Sequence, residues 1–283
     1  MSDKFKVTES VGLLKFLIAN LGGWTRSRVK QRLLGNCVTV NGEAISKHDH
    51  ILMVADNVEV LASSKMIKIK SNSLEIIYSD KDLIVINKPA GLLSVADGKT
   101  DNKNAMSLLR TQLSRPNKQI KLWPVHRLDR DTSGVLLFAT SHEMREAVNA
   151  LWSDAEKVYL AIVEGSPDPK RGTIDKPLRM DAVKYHMHVG VHPDAKQAIT
   201  HYDTMRTLGK NSLLEVKLET GRQHQIRAHL SWLGNSVIGD TRYGTLGHRM
   251  GLHALRLSII HPVTKSKLTF ETPPPLDFNS LLK

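Results

Sequence analysis

One cysteine, Cys37, stands in 283 residues. No intrachain disulfide can form, and a reducing compartment is expected. No apolar run approaches the roughly 18 residues of a membrane span. The opening stretch, Met1 to Glu9, is polar and lacks the apolar core of a signal peptide. Neither a basic amphipathic helix nor a lipidation site is present to hold the chain on an anionic membrane, so a cytoplasmic protein is expected. Internal repeats are missing too. Acidic residues are short in number: 28 Asp and Glu stand against 40 Lys and Arg, a net charge of +12. Such an excess gains affinity for a polyanion by releasing counterions from a phosphate backbone. A nucleic acid is therefore the expected partner. With 41% hydrophobic residues the chain can bury a full core, and its length fits about two domains.

Residues 10–61 read as a compact unit. Val11, Leu13, Leu14, Leu17, Ile18 and Leu21 keep a helical period that Gly22-Gly23 ends. Thr25 can cap a second helix from Arg26 to Leu34, stopped by Gly35-Asn36. On it, Arg26/Lys30 and Arg28/Arg32 are basic pairs four residues apart, while Val29 and Leu33 face inward. Val38-Thr39-Val40 alternates as a strand before the hairpin signal Asn41-Gly42. This block resembles the S-four-type RNA-binding domain, the alpha-L motif: a basic helix, a glycine, then Val-x-Val-Asn-Gly. The segment before it matches only in part, with Gly12-Leu13 where Arg-Leu is common in that family. The resemblance implies recognition of structured RNA by shape and phosphate charge, with Arg26, Arg28, Lys30 and Arg32 as contacts. The Ser/Lys-rich stretch 62–73 is the expected linker, and 74–283 the second domain. Within that domain, 96–121 is polar and rich in Lys and Asn, and is expected to be a long loop. Short strands with fewer helices follow, including one helix near Ser141 to Trp152, and make the domain α+β.

His126-Arg127-Leu128-Asp129-Arg130-Asp131-Thr132-Ser133-Gly134 places a carboxylate between two arginines, ahead of an expected Thr-Ser-Gly turn. Flanking guanidinium groups keep a carboxylate ionised and aimed, as a nucleophile or base requires. By themselves the nine residues read equally as an exposed salt-bridged loop.

Three further motifs accompany it in order: Asn87-Lys88-Pro89-Ala90-Gly91-Leu92 before, and Lys157-Val158-Tyr159-Leu160-Ala161 and Thr220-Gly221-Arg222-Gln223-His224-Gln225-Ile226-Arg227 after. Together they resemble the RluA-type pseudouridine synthases over nearly all of 74–275. The resemblance implies a mixed, largely antiparallel sheet with a central catalytic cleft. It also implies isomerisation of uridine to pseudouridine within RNA, with no metal, nucleotide or redox cofactor. Asp129 matches the essential aspartate, acting either as a nucleophile or as the base for the C2′ proton. Arg227 matches the arginine that pairs with it, and Tyr159 the residue that stacks on the target base and assists removal of the C5 proton. The base must leave its helix to react. Arg127 is placed to fill the vacated position, Arg222 and His224 are candidate phosphate contacts, and Leu255 is a candidate pocket residue or simply core. Lys88-Pro89 reads as a turn fixed by Pro and Gly at a sheet edge. The chain departs from the family at Val95-Ala96-Asp97, where His-Pro is frequent. An appended alpha-L domain tilts the substrate toward ribosomal rather than transfer RNA, and a monomer is expected.

Other chemistries are weaker. Ser133 lies near His126 and Asp131 but in no Gly-x-Ser-x-Gly elbow, and is read as a turn residue. His186, His188, His192 and His201 lack a cysteine or carboxylate to complete a metal site, and are read as solvated or RNA-facing. Gly98-Lys99-Thr100 has the wrong spacing from Gly91 for a phosphate loop. The serious rival is a non-catalytic RNA-binding protein, which the intact Asp129, Tyr159 and Arg227 disfavour.

Overall fold

The structure, a computed structural model, describes residues 3–26, 29, 33, 38–41, 43–45, 50–60, 73–96, 104–115, 119–181, 183, 185–245, 247 and 249–282. Two compact units divide the chain, Met1–Ser71 and Asn72–Lys283. Apart from Ser73, the linker expected at 62–73 lies outside the described residues.

The first unit contains β1 (Asp3–Lys6), β2 (Val11–Gly12), α1 (Leu13–Asn20), β3 (Val38–Val40), β4 (Glu43–Ala44), β5 (Ile51–Leu52) and β6 (Asn57–Val60). A four-stranded antiparallel sheet runs in the order β1-β6-β3-β4. Leu13, Leu14 and Leu17 of α1 are buried with Val29, Leu33, Val38 and Val40 in one core, so the two apolar stripes read from the sequence do face inward. The first helix is shorter than its apolar pattern. Val11 is drawn into β2 by pairing with Leu52, and Ile18 is exposed. Asn41 takes a positive φ of 52° between β3 and β4, the conformation that a tight hairpin turn demands and that Asn tolerates.

The second unit is built on β7 (Glu75–Ser79), β8 (Leu83–Lys88), α2 (Ala105–Leu113), β9 (Trp123–Pro124), β10 (Ser133–Ala139), α3 (His142–Ala150) and β11 (Glu156–Glu164). Then come β12 (Arg171–Asp175), β13 (Leu178–Asp181), β14 (His186–Val189), β15 (Ile199–Leu208), β16 (Asn211–Leu218), α4 (Gln225–Trp232), β17 (Leu252–Ile260) and β18 (Lys267–Glu271). The main sheet runs β12-β15-β16-β11-β17-β10-β8-β7, with β18 on β17 and β9 on β10. Every pairing in it is antiparallel except β10 with β17.

Strand alternation sends the central side chains to two faces. Ile84, Ile86, Leu136 and Phe138 pack with Ala105 and Leu109 of α2. Leu83, Val85, Val135 and Leu137 pack with Met144 and Val148 of α3. Covered on both sides, β10 is buried throughout, which explains its unbroken apolar run.

The polar stretch 96–121 is not simply a loop, because it contains α2. Asn104 accepts from the Ser107 backbone N–H at 3.0 Å, and the Ser107 hydroxyl accepts from the Asn104 N–H at 3.1 Å. This reciprocal cap satisfies two donors at the helix start. Buried Ala105 and Leu109, flanked by partly buried Met106, Leu108 and Leu113, then hold one face on the sheet. Polar outer residues masked that stripe in the sequence.

Candidate active site

The expected Thr-Ser-Gly turn is instead the start of β10. Gly134, at φ 118°, comes so close to β17 that a Cβ there would sit 2.1 Å from the Ala254 carbonyl oxygen. Only glycine permits this approach. Ser133 is buried, and its hydroxyl bonds His253 Nδ1 at 2.9 Å and accepts from Arg249 Nη2 at 3.1 Å. Those bonds secure the strand behind the Asp129 loop and leave no triad with His126.

Beneath that loop lies Lys88, wholly buried at the end of β8. Its ammonium donates to the carbonyls of Pro89, Leu92 and Arg130 at 3.0, 2.7 and 3.0 Å. Burial pulls its pKa down to about 7, against the opposing pull of Asp131 and Asp129. Ser94 adds a second tie, donating to the Leu128 carbonyl at 2.7 Å and accepting the Leu128 N–H at 3.0 Å. The first motif is thus more than a turn: it buttresses the loop that presents Asp129.

Gln225 organises the opposite wall. Its amide oxygen accepts from Thr220 Oγ1 and the Arg222 N–H, and its nitrogen donates to the Ile199 carbonyl and to Thr200 Oγ1. Fully satisfied and buried, it fixes the turn before α4. His224, the residue capping that helix, is held left-handed at φ 51°. One turn into α4, Arg227 reaches across to Asp129, its Nη1 donating to Oδ2 at 2.7 Å.

Arg227 is itself held from behind. Its Nε and Nη2 donate to Asp240 at 2.6 and 2.8 Å, and its guanidinium lies 5.1 Å from the centre of the Tyr243 ring. Asp240 also accepts the backbone N–H groups of Arg242 and Tyr243. Burial alone would raise the Asp240 pKa, but these bonds and the Arg227 charge hold it below the ordinary carboxylate range. Burial would likewise lower Arg227, and the bonds and charges of Asp240 and Asp129 raise it instead. The guanidinium stays charged between two carboxylates. Asp240, Tyr243 and the depth of Lys88 escaped the sequence reading. The one available signal for the first two was Gly239-Asp240-x-x-Tyr243-Gly244, a short polar turn pattern.

Tyr159 lies on β11 opposite Ala254, where the β11–β17 register shifts. Such bulges re-aim side chains beside active sites. Its ring packs against both hydrophobic clusters flanking the cleft. Burial, and then the nearby Asp129 charge, push its phenol above the ordinary range. The same shift leaves Leu255 without a partner on β11. Leu255 packs instead against Leu160, Ile162 and Phe278, while Leu252 and Ala254 take the lining positions. Of the two places read for Leu255, pocket or core, the structure gives core packing.

Asp129, Tyr159, His224 and Arg227 line a cleft of about 930 Å³. Arg127, Arg130, Arg222 and Arg242 line it and are exposed, so the opening is cationic. Arg222 Nε donates to the Gln197 carbonyl at 3.0 Å, while His224 is turned toward Asp129, with Nε2 3.7 Å from Oδ1. In the other unit Arg26 is exposed, whereas Arg28, Lys30 and Arg32 lie outside the described residues, as does Gly98-Lys99-Thr100. His186 packs on Tyr243 with ring centres 4.4 Å apart. Among the described residues no group of three or more His, Cys, Asp or Glu is arranged to hold a metal, and no helix is long and apolar enough to cross a membrane.

Residues 82–232 match the family described as RNA pseudouridylate synthase. The sequence is 34% identical to the uncharacterised RNA pseudouridine synthase YlyB of Bacillus subtilis over 281 residues, 95% of this chain and 92% of that one. It is 33% identical to the ribosomal large subunit pseudouridine synthase D of Vibrio cholerae, over 90% of this chain and 85% of the relative. The solved structure of human RNA pseudouridylate synthase domain containing 1 aligns at a TM-score of 0.62 and 26% identity, covering 74% of this chain and 88% of that one. The fold expected from the four motifs, a mixed and mostly antiparallel sheet, agrees with these neighbours.

Proposed function

Because this chain belongs to the RNA pseudouridylate synthases, a family of isomerases, we propose that it converts specific uridines of structured RNA to pseudouridine through Asp129. One observation carries the assignment: Asp129 stands in the cleft with Arg227 at 2.7 Å, and Tyr159 lines the same cavity. In the reaction the N1–C1′ bond breaks, the uracil turns while held, and C5 bonds to C1′, so the C5 hydrogen must leave. Asp129 acts on the sugar or base as a nucleophile, or takes the C2′ proton. Arg227 aims that carboxylate, its Nη1 donating to Oδ2 in a partly buried site. Tyr159, kept a neutral phenol, offers an aromatic face for the flipped base. Apolar walls from Leu128, Leu218, Leu252 and Ala254 exclude water from the detached uracil.

Arg127, at the rim and two residues from Asp129, fills the place of the flipped base, and Arg222 contacts phosphate. The first unit, as an alpha-L domain, grips RNA through Arg26, Arg28, Lys30 and Arg32. That unit favours ribosomal RNA as substrate, and so does the named activity of the Vibrio cholerae relative. In this reading the protein works in the cytoplasm as a monomer. The test is pseudouridine mapping of total RNA from cells with and without the gene. Loss of one or a few ribosomal signals, restored by wild type and not by Asp129→Asn, is expected. Loss confined to transfer RNA overturns the substrate, and restoration by Asp129→Asn overturns the catalytic role.

A further inference from the structure

Next to Asp129 stands a side chain whose proton can be located from its neighbours. Tyr243 Oη accepts the Met187 backbone N–H at 2.8 Å. Its own hydroxyl proton is therefore free to be given, and His224 Nδ1 lies 3.0 Å away. A neutral imidazole has one acceptor and one donor nitrogen. If Nδ1 accepts from the phenol, the proton sits on Nε2, the atom that faces Asp129 Oδ1 at 3.7 Å. Oδ2 is already taken by Arg227. The two oxygens of Asp129 thus face two different donors, and each donor is held by a residue of the 240–243 loop: Arg227 by Asp240, His224 by Tyr243.

The backbone supports a special role for this position. His224 is a non-glycine residue in the left-handed region, a conformation retained only where its surroundings over-determine it, and such residues gather at functional sites. Its carbonyl accepts the Ala228 N–H at 2.9 Å, which ties the strained residue to α4. Its side chain is only 11% exposed, a poor position for the phosphate contact its sequence suggested.

We propose that His224 is a positioning residue for the isomerisation, a neutral imidazole whose Nε2–H aims Oδ1 of Asp129 while Tyr243 fixes its tautomer. This rests on the reading of Asp129 as the essential carboxylate. The 3.7 Å separation is longer than a hydrogen bond, and bonds at active sites commonly shorten when substrate closes the site. The charged and titratable groups around the ring are Asp129, Arg227, Asp240 and Arg242, with Tyr243 against it and His186 beyond Tyr243. Burial, then the charges of Arg227 and Arg242, against Asp129 and Asp240, hold His224 below the ordinary histidine range. It stays neutral at pH 7, and protonation at lower pH forces Nδ1 to give up the phenol's hydrogen bond.

The test compares wild type, His224→Asn, His224→Gln, Tyr243→Phe and Asp129→Asn on total RNA isolated from a strain lacking the protein, with conversion rate and half-saturating RNA concentration measured across pH. Asparagine tolerates the left-handed backbone and can meet Tyr243, but does not reach Asp129. Glutamine places an amide N–H near the position of Nε2. His224→Asn is expected to slow the saturated rate about ten- to a hundredfold, as for a lost hydrogen bond to a charged group, with half-saturation unchanged. Glutamine should restore most of the rate, and the acid-side fall seen in wild type should move to lower pH in that variant. Tyr243→Phe, which frees the tautomer, should be slowed less. If His224→Asn and Tyr243→Phe keep the wild-type rate while Asp129→Asn is inactive, the positioning role is overturned and the catalytic reading stands. A rise in half-saturating RNA with an unchanged saturated rate also overturns it, since His224 is then an RNA contact. Activity in Asp129→Asn overturns the underlying reading itself.

Discussion

Arg227 gives Asp240 two of its guanidinium donors, at 2.6 and 2.8 Å, and gives Asp129 one, at 2.7 Å. The buried carboxylate therefore fixes the plane of the guanidinium. With its Nε–Nη2 edge occupied, Arg227 cannot clamp both oxygens of Asp129, and Oδ1 is left facing His224 Nε2 at 3.7 Å. An arginine serves here where a lysine could not, because two carboxylates must be met in fixed directions from one group.

Replacing Asp240 with Asn should release that grip. One partner of a buried ion pair is removed, at a stability cost on the order of 3 kcal/mol, read as a lower melting temperature. The catalytic rate should fall about ten- to a hundredfold with RNA affinity preserved. A variant as active as wild type contradicts the arrangement.

Arg227→Ala should be more severe, because Asp129 and the buried Asp240 both lose their cation. Loss of detectable turnover is expected, with RNA still bound through the cationic rim. Near-normal turnover removes Arg227 from the mechanism.

Lys88→Met keeps the bulk of the side chain and removes the three donors that gather the Pro89, Leu92 and Arg130 carbonyls. Carbonyls left short of partners in a buried site cost roughly 2–3 kcal/mol. The consequence should reach function, since the Arg130 carbonyl belongs to the Asp129 loop. Chemical denaturation together with turnover checks this, and a variant unchanged in both contradicts the buttress.

Stability should drain on mild acidification. Burial, and then the Lys157 charge, pull His126 from 6.5 down to about 4. His229 and His253, both fully buried, are also held low by burial. Each is depressed in the fold, so the unfolded chain binds protons first as pH falls. The contribution is complete above pH 6.5 and is lost as pH drops toward 4. Thermal melts should fall within that window. A melting temperature constant down to about pH 4.5 contradicts the assignment of these rings as neutral.

Arg26, Arg28, Lys30 and Arg32 changed together to neutral residues should weaken RNA binding and flatten its dependence on salt. The log–log slope should fall by up to about one unit for each phosphate no longer neutralised. An unchanged slope shows that the first unit does not hold RNA by this face.

Much of this molecule was readable before any coordinates. Apolar periodicity gave the inward stripes of the first unit, and the family resemblance implied the pairing of Asp129 with Arg227 across 98 positions of sequence. What escaped reading depends on through-space partners. Asp240 carries only a short turn pattern locally, and its guanidinium partner lies 13 residues away. Lys88 looked like half of a Pro-Gly turn because its three acceptors are backbone carbonyls, which every residue carries. The 96–121 segment hid α2 because its cap and its stripe are each only a few residues long.

The central claim, that the Asp129 carboxylate carries out the isomerisation, is tested most directly with RNA from a deletion strain labelled by tritium at C5 of uridine. Formation of the C5–C1′ bond expels that hydrogen to solvent. The account predicts tritium release by the wild-type protein and none above background by Asp129→Asn, with RNA binding unchanged. Release by the asparagine variant at the wild-type rate would contradict it.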